Sequence, residues 1–223
     1  MKKVLFIVGV ALGHVSRSLV VARALASYSN VSITFAVAGQ GYGSKMIPDE
    51  FSCVTIPYTV PGDETFTGNI ESYIVDIKPD IICLDMNPHV WLSLVSFPDV
   101  PIIFLTNYFL TKPWDYQTVQ TIEFANDHVD INALRKNRGL PSIVNIKDFY
   151  EIGHVLLCDP PSLVTPPCAL PDNYTVAGPC FWEPDIDLPN TLYDVDDALF
   201  ISFGSTGIKP VPNKIVNDLA SAF

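Results

Sequence analysis

Residues 2–28, KKVLFIVGVALGHVSRSLVVARALASY, decide the fold. Lys2 and Lys3 precede a continuous apolar run, Val4 to Val10. The run is short, β-branched and bounded by Gly9 and Gly13, which predicts a strand buried on both faces. Beyond Gly13 the period changes. Val15, Leu19, Ala22 and Ala26 recur at helical spacing, and Leu25 widens the stripe. Ser16 is the expected N-cap. The unit is therefore strand, glycine turn, helix. His14 falls in the turn, at the carboxyl end of the strand, where ligands bind in open parallel sheets.

Working outward, the same alternation continues. Strands are predicted at Val31–Val37, Ser52–Tyr58, Asp80–Leu84 and Pro101–Leu105. Helices are predicted at Asn69–Ile77, stopped by Pro79, and from Pro88 to Phe97. This βαβα rhythm marks a parallel sheet with helices on both faces. The aromatic stretch Asn107–Asp115 interrupts it. A long helix is expected at Tyr116–Lys136, then a sixth strand at Ile152–Cys158 and a short one at Tyr174–Ala177. Residues 1–179 thus form one Rossmann-like α/β domain. Residues 180–196, rich in proline and acid, read as an interdomain linker. At Ala198 the opening pattern returns, since ALFISFGSTG echoes VLFIVGVALG. Residues 197–223 are expected to be the first strand and helix of a second α/β domain. One strand and one helix cannot bury a core, so a truncated chain and a partner chain are both open.

The 223 residues carry 13 Lys and Arg against 24 Asp and Glu, a formal net charge of -11. Such a surface repels phosphate backbones, which excludes nucleic acid as the expected partner. Any phosphate must be held locally. The five cysteines, Cys53, Cys83, Cys158, Cys168 and Cys180, form no C-x-x-C pair. They read as small buried hydrophobes in a reducing compartment, not as zinc ligands. The N-terminal apolar run is broken by Gly13, His14 and Arg17, which suits a βα turn better than a cleaved leader. No stretch approaches the roughly 20 apolar residues of a membrane span. A cytoplasmic location is expected, with peripheral contact at a membrane left open.

Five segments carry a resemblance to a known family. They are GHVSRSLVVARAL after the first strand, KPDIICLD at the fourth, LRKNRGLPSI after the long helix, YTVAGPCFW before the linker, and ALFISFGSTG after it. In this order they resemble the amino-terminal half of two-domain GT-B nucleotide-sugar glycosyltransferases, near the UDP- and macrolide-glycosyltransferase group. Arg17 departs from the proline that many relatives carry there.

The resemblance implies transfer of a sugar from a nucleotide diphosphate sugar to a hydroxyl of a small-molecule, lipid or glycan acceptor, with inversion. It implies no cofactor and no metal. His14 would be the general base, a group titrating near neutrality; a helix cap or backbone bond is the plainer alternative. Asp85 would orient His14, as in a Ser-His-Asp triad whose serine is replaced by the substrate hydroxyl; an Asx turn before Pro88 is the alternative. Gly13 and the turn Gly204, Ser205, Thr206 and Gly207 would meet the donor, the turn by backbone amides. A tight turn with positive φ would explain Gly13 equally well. Arg17 would approach a phosphate or an acceptor anion, or pair with a surface carboxylate. Trp91, Asn107, Tyr108, Phe109 and Trp114 would wall the acceptor pocket. The chain alone is expected to be inactive, the rest of the donor site lying past Phe223. Nucleotide-sugar hydrolysis or epimerisation, and a non-catalytic acceptor-binding subunit of a split enzyme, are the alternatives.

Overall fold

The computed structural model describes residues 1–28, 30–39, 42–58, 64–111, 130–144, 146–164, 170–183 and 187. Seven strands are described: β1 (Lys2–Val8), β2 (Val31–Ala38), β3 (Ser52–Ile56), β4 (Ile81–Asp85), β5 (Ile102–Thr106), β6 (His154–Leu157) and β7 (Tyr174–Val176). They form one sheet in the order β3-β2-β1-β4-β5-β6-β7. Every pairing is parallel. The described helices are α1 (Leu12–Tyr28), α2 (Glu64–Ile77), α3 (Val90–Ser93), α4 (Tyr108–Thr111), α5 (Ile131–Asn137) and α6 (Ile146–Tyr150). This is the α/β, Rossmann-like architecture that the alternation predicts.

Strand β1 lies inside the sheet, between β2 and β4, and its side chains divide between two cores. Leu5 and Ile7 join the cluster under α2, with Phe66, Ile70 and Ile74. Val4, Phe6 and Val8 join the cluster under α1, with Val15, Leu19 and Ala22. A period of two on a doubly covered sheet buries every residue of such a strand. Burying each large apolar side chain contributes about 1.5–3 kcal/mol. Phe6 stacks on Phe35 of β2 at a centroid distance of 5.0 Å.

Several boundaries differ from the sequence-based expectation. β1 ends at Val8, and Val10 is exposed, because apolar character outlasts the ladder. α1 begins at Leu12, so His14 lies in its first turn and not in the loop before it. Ser16 is therefore inside the helix, where its hydroxyl donates to the Gly13 carbonyl at 3.2 Å instead of capping. Ala26 is exposed, since the last turn of α1 runs beyond the core. α2 starts at Glu64, five residues early, because Gly68 faces open space and does not break the helix. Of the expected helix at Tyr116–Lys136, residues 116–129 lie outside the described part. At its other end the chain is not continuous helix: α5 starts afresh at Ile131, where the Asp130 carboxylate caps the Ala133 amide at 3.0 Å. The linker and the second-domain start lie outside the described residues, apart from 180–183 and 187.

The helix expected from Pro88 is one turn long, and His89 is its N-cap, accepting from the Leu92 amide at 3.4 Å. The ring is buried between Tyr58 and Phe66, at centroid distances of 5.6 and 5.0 Å. Burial pushes its pKa down from 6.5 to about 4. Between those values the unfolded chain binds a proton that the native state refuses, so stability falls as pH falls. At about 1.4 kcal/mol per unit, His89 should account for about 3 kcal/mol of acid destabilisation between pH 6.5 and 4. His89→Asn keeps a capping oxygen and does not titrate. Urea midpoints of this variant should fall less steeply over that range; an identical fall would refute the assignment.

Candidate active site

In this strand order the sheet reverses direction of growth between β1 and β4, the position where open α/β sheets bind ligands at the carboxyl edge. The register pairs Val8 with Asp85. The Gly9 amide extends the ladder by donating to the Asp85 carbonyl at 2.8 Å. From here α1 turns back over the sheet. His14, Arg17 and Ser18 stand at i, i+3 and i+4, so they share one helix face. That face meets Asp85.

The Asp85 side chain is wholly buried, and His14 is 17% exposed. His14 Nδ1 lies 2.7 Å from Asp85 Oδ1. A carboxylate only accepts, so Nδ1 carries the hydrogen and Nε2 of the neutral ring keeps its lone pair. Ser18 Oγ donates to Asp85 Oδ2 at 2.9 Å. Arg17 Nε donates to the same oxygen at 2.9 Å, and Arg17 Nη2 donates to Oδ1. Both carboxylate oxygens are thus taken by side chains of α1; the Asx turn weighed for Asp85 is not the arrangement found.

Arg17, expected at a phosphate, an acceptor anion or a surface carboxylate, has a buried carboxylate as its partner. Its Nη1 donates to Asn107 Oδ1 at 2.7 Å, and Nη2 also reaches the Leu105 carbonyl at 3.2 Å. Burial opposes its charge, but the hydrogen bond and charge of Asp85 outweigh burial and raise its pKa. Asn107 passes the network on, donating to Asp159 Oδ1 at 2.9 Å, while the Tyr108 amide donates to Asp159 Oδ2 at 2.6 Å. The carboxyl ends of β4, β5 and β6 are thereby tied to α1 by one chain of hydrogen bonds.

His14 opens onto a cleft of about 180 Å³, lined also by Gly9, Val10, Tyr58, Met86, Asn87 and His89. Of the described residues expected at an acceptor or donor, none lines it. Trp91 and Tyr108 pack, half-buried, against the apolar cluster under α2, and Asn107 belongs to the Arg17 network. The Phe109 side chain, Trp114 and the Gly204–Gly207 turn lie outside the described residues. Gly13 needs no positive φ, which among the described glycines belongs to Gly39, Gly139 and Gly178. A Cβ on Gly13 would meet nothing within 4 Å. Among the described residues no group of three His, Cys, Asp or Glu side chains is gathered for a metal ion. No described helix is long and apolar enough to cross a membrane.

Sequence reasoning passed over Gly9 as a strand boundary. A Cβ there would sit 2.9 Å from His14 Cδ2 and 3.4 Å from Nε2. The missing side chain is what lets the imidazole lie flat on the end of β1. Gly9→Ala should displace the ring from Asp85 and cost about 1–3 kcal/mol by overpacking. Histidine ring signals in NMR would report the displacement, and unchanged signals would refute it.

The doubly wound parallel sheet, with a buried aspartate and a partly exposed histidine at its switch point, is a Rossmann-like α/β domain. Its fold is that of the amino-terminal half of the GT-B glycosyltransferases. The glycotransferase of kitacinnamycin superposes with a TM-score of 0.54 at 16% identity, over 84% of this chain and 55% of its own. The glycosyltransferase SnogD from Streptomyces nogalater superposes with a TM-score of 0.50 at 14% identity, over 85% of this chain and 54% of its own. The chain spans about half the length of these structures, and at such identities the likeness is one of fold. No family model and no curated protein matches the sequence.

Proposed function

We propose that this chain is the acceptor-side half of a glycosyltransferase that moves a sugar from a nucleotide diphosphate sugar to an acceptor hydroxyl. The observation that carries the reading is the 2.7 Å bond between His14 Nδ1 and Asp85 at the mouth of the switch-point cleft. Nε2 takes the acceptor proton as the acceptor oxygen attacks the anomeric carbon. The bond from that carbon to the diphosphate breaks on the opposite side, so a single displacement inverts the centre. Asp85 holds the ring in the required tautomer and offsets the imidazolium charge. The diphosphate leaves towards the turn at Gly204–Gly207. Gly13, beside His14 with open space in front of it, leaves room for the donor. The cleft residues Tyr58, Met86 and Asn87 meet the acceptor first.

The test uses protein that includes whatever the gene encodes after Phe223, with labelled nucleotide sugars. Acceptor-dependent appearance of label in the product is the expected result. Free sugar released equally fast without acceptor would replace transfer by hydrolysis.

A further inference from the structure

The segment 134–143, LRKNRGLPSI, lies outside the cleft yet is tied to it through α3. It folds on itself at the end of α5. Gly139 takes φ +71°, which suits glycine, and the Leu140 amide donates to the Arg135 carbonyl at 2.8 Å. Asn132 closes the return, donating to the Ile143 carbonyl at 3.0 Å and accepting from the Ile143 amide at 2.9 Å. Arg135 is buried here, and its Nε donates to the Pro141 carbonyl at 2.6 Å. Its Nη1 donates to the Ser93 carbonyl, and Arg138 Nε donates to the Leu94 carbonyl at 2.9 Å. Arg138 Nη2 also pairs with Glu71 of α2, whose carboxylate accepts from the Ser96 amide at 2.8 Å.

These carbonyls matter because α3 is four residues long. A helix of one turn does not hold itself, and its last carbonyls have no intrahelical partner. Here neighbouring elements supply the partners. Thr67 of α2 donates to the Trp91 carbonyl at 2.7 Å, and the two arginines take those of Ser93 and Leu94. The other end of α3 belongs to the cleft. His89 caps that end, and Met86, Asn87 and His89 line the cavity onto which His14 opens.

We propose that Arg135 and Arg138 are positioning residues for the cleft: by gripping the carboxyl end of α3 they fix the wall made by Met86, Asn87 and His89. That this wall receives the acceptor rests on the glycosyl-transfer reading. Neither arginine lines the cleft, so both act through α3. A lysine does not replace Arg135, since one ammonium lacks the planar fork that spans the Pro141 and Ser93 carbonyls.

Arg138→Gln is the main test variant, because Arg138 is 29% exposed and its loss leaves the core filled. Arg135→Lys is the second, and Arg23→Gln, which breaks the exposed pair with Glu50, is the control. In the 223-residue chain the His89 ring lies against Tyr58 and Phe66, whose ring currents set its NMR signals. Both test variants should shift the His89 signals. The His14 signals should stay, since Asp85 holds that ring from β4. The control should move neither. His89 signals that stay in both variants, or His14 signals that move as far, would overturn the proposal. In protein that carries the donor half, the acceptor KM should rise about 2- to 30-fold, the range for residues that touch no ligand. kcat and the donor KM should be kept. A fall in kcat at unchanged acceptor KM would overturn the positioning role. Absence of transfer in the unsubstituted protein would end the acceptor reading alone, and the NMR result would then decide the grip on α3 by itself.

Discussion

Asp85→Ala should lower folding stability by about 3–5 kcal/mol, the usual cost of removing one partner from a buried ion pair. Asp85 accepts from His14, Ser18 and twice from Arg17, and no part of its side chain is exposed. Without it the Arg17 guanidinium keeps the Asn107 side chain, the Leu105 carbonyl and His14 Nδ1 at 3.3 Å, and no anion among them. The stranded cation is the dominant cost, not the lost contacts. A second substitution separates the two. Adding Arg17→Leu to Asp85→Ala removes the cation, and the double variant should be more stable than Asp85→Ala alone. Urea unfolding measures all three chains. A loss under about 1 kcal/mol for Asp85→Ala, or no recovery in the double variant, would show that the charge pair is not what holds this rim together.

His14→Ala should separate from Asp85→Ala in kind. His14 is partly exposed and lies on the surface of the cleft, so its removal strands no charge. Folding stability should change little. In protein that carries the donor half, turnover should fall by about 10²–10⁴, the range for a lost general base, with donor affinity nearly kept. A KM for the donor that rises while kcat holds would mean that His14 binds substrate and moves no proton. Unchanged turnover would reduce it to scaffolding.

The architecture was legible because its signals are local. The β-branched runs of β1, β2, β4 and β5 and the stripe Val15, Leu19, Ala22 are patterns of period 2 or 3.6, and burial on a covered sheet enforces them. Boundaries were less legible. Apolar character carried β1 past its last ladder bond to Val10, and a glycine was taken to delay helices that in fact begin at Leu12 and Glu64. The spacing of His14, Arg17 and Ser18 on one helix face was available in the sequence, but only with the helix start placed before His14.

By itself the sequence determined that strands and helices alternate and that an imidazole follows the first strand while a carboxylate closes the fourth. Tertiary structure decided what those groups touch. Asp85 meets His14 across 71 residues because β4 pairs with β1. Arg17 turns to that same carboxylate instead of solvent, and Gly9 makes room for the ring. Periodicity is a property of neighbours along the chain, whereas strand order and register are settled by burying both faces of the sheet at once.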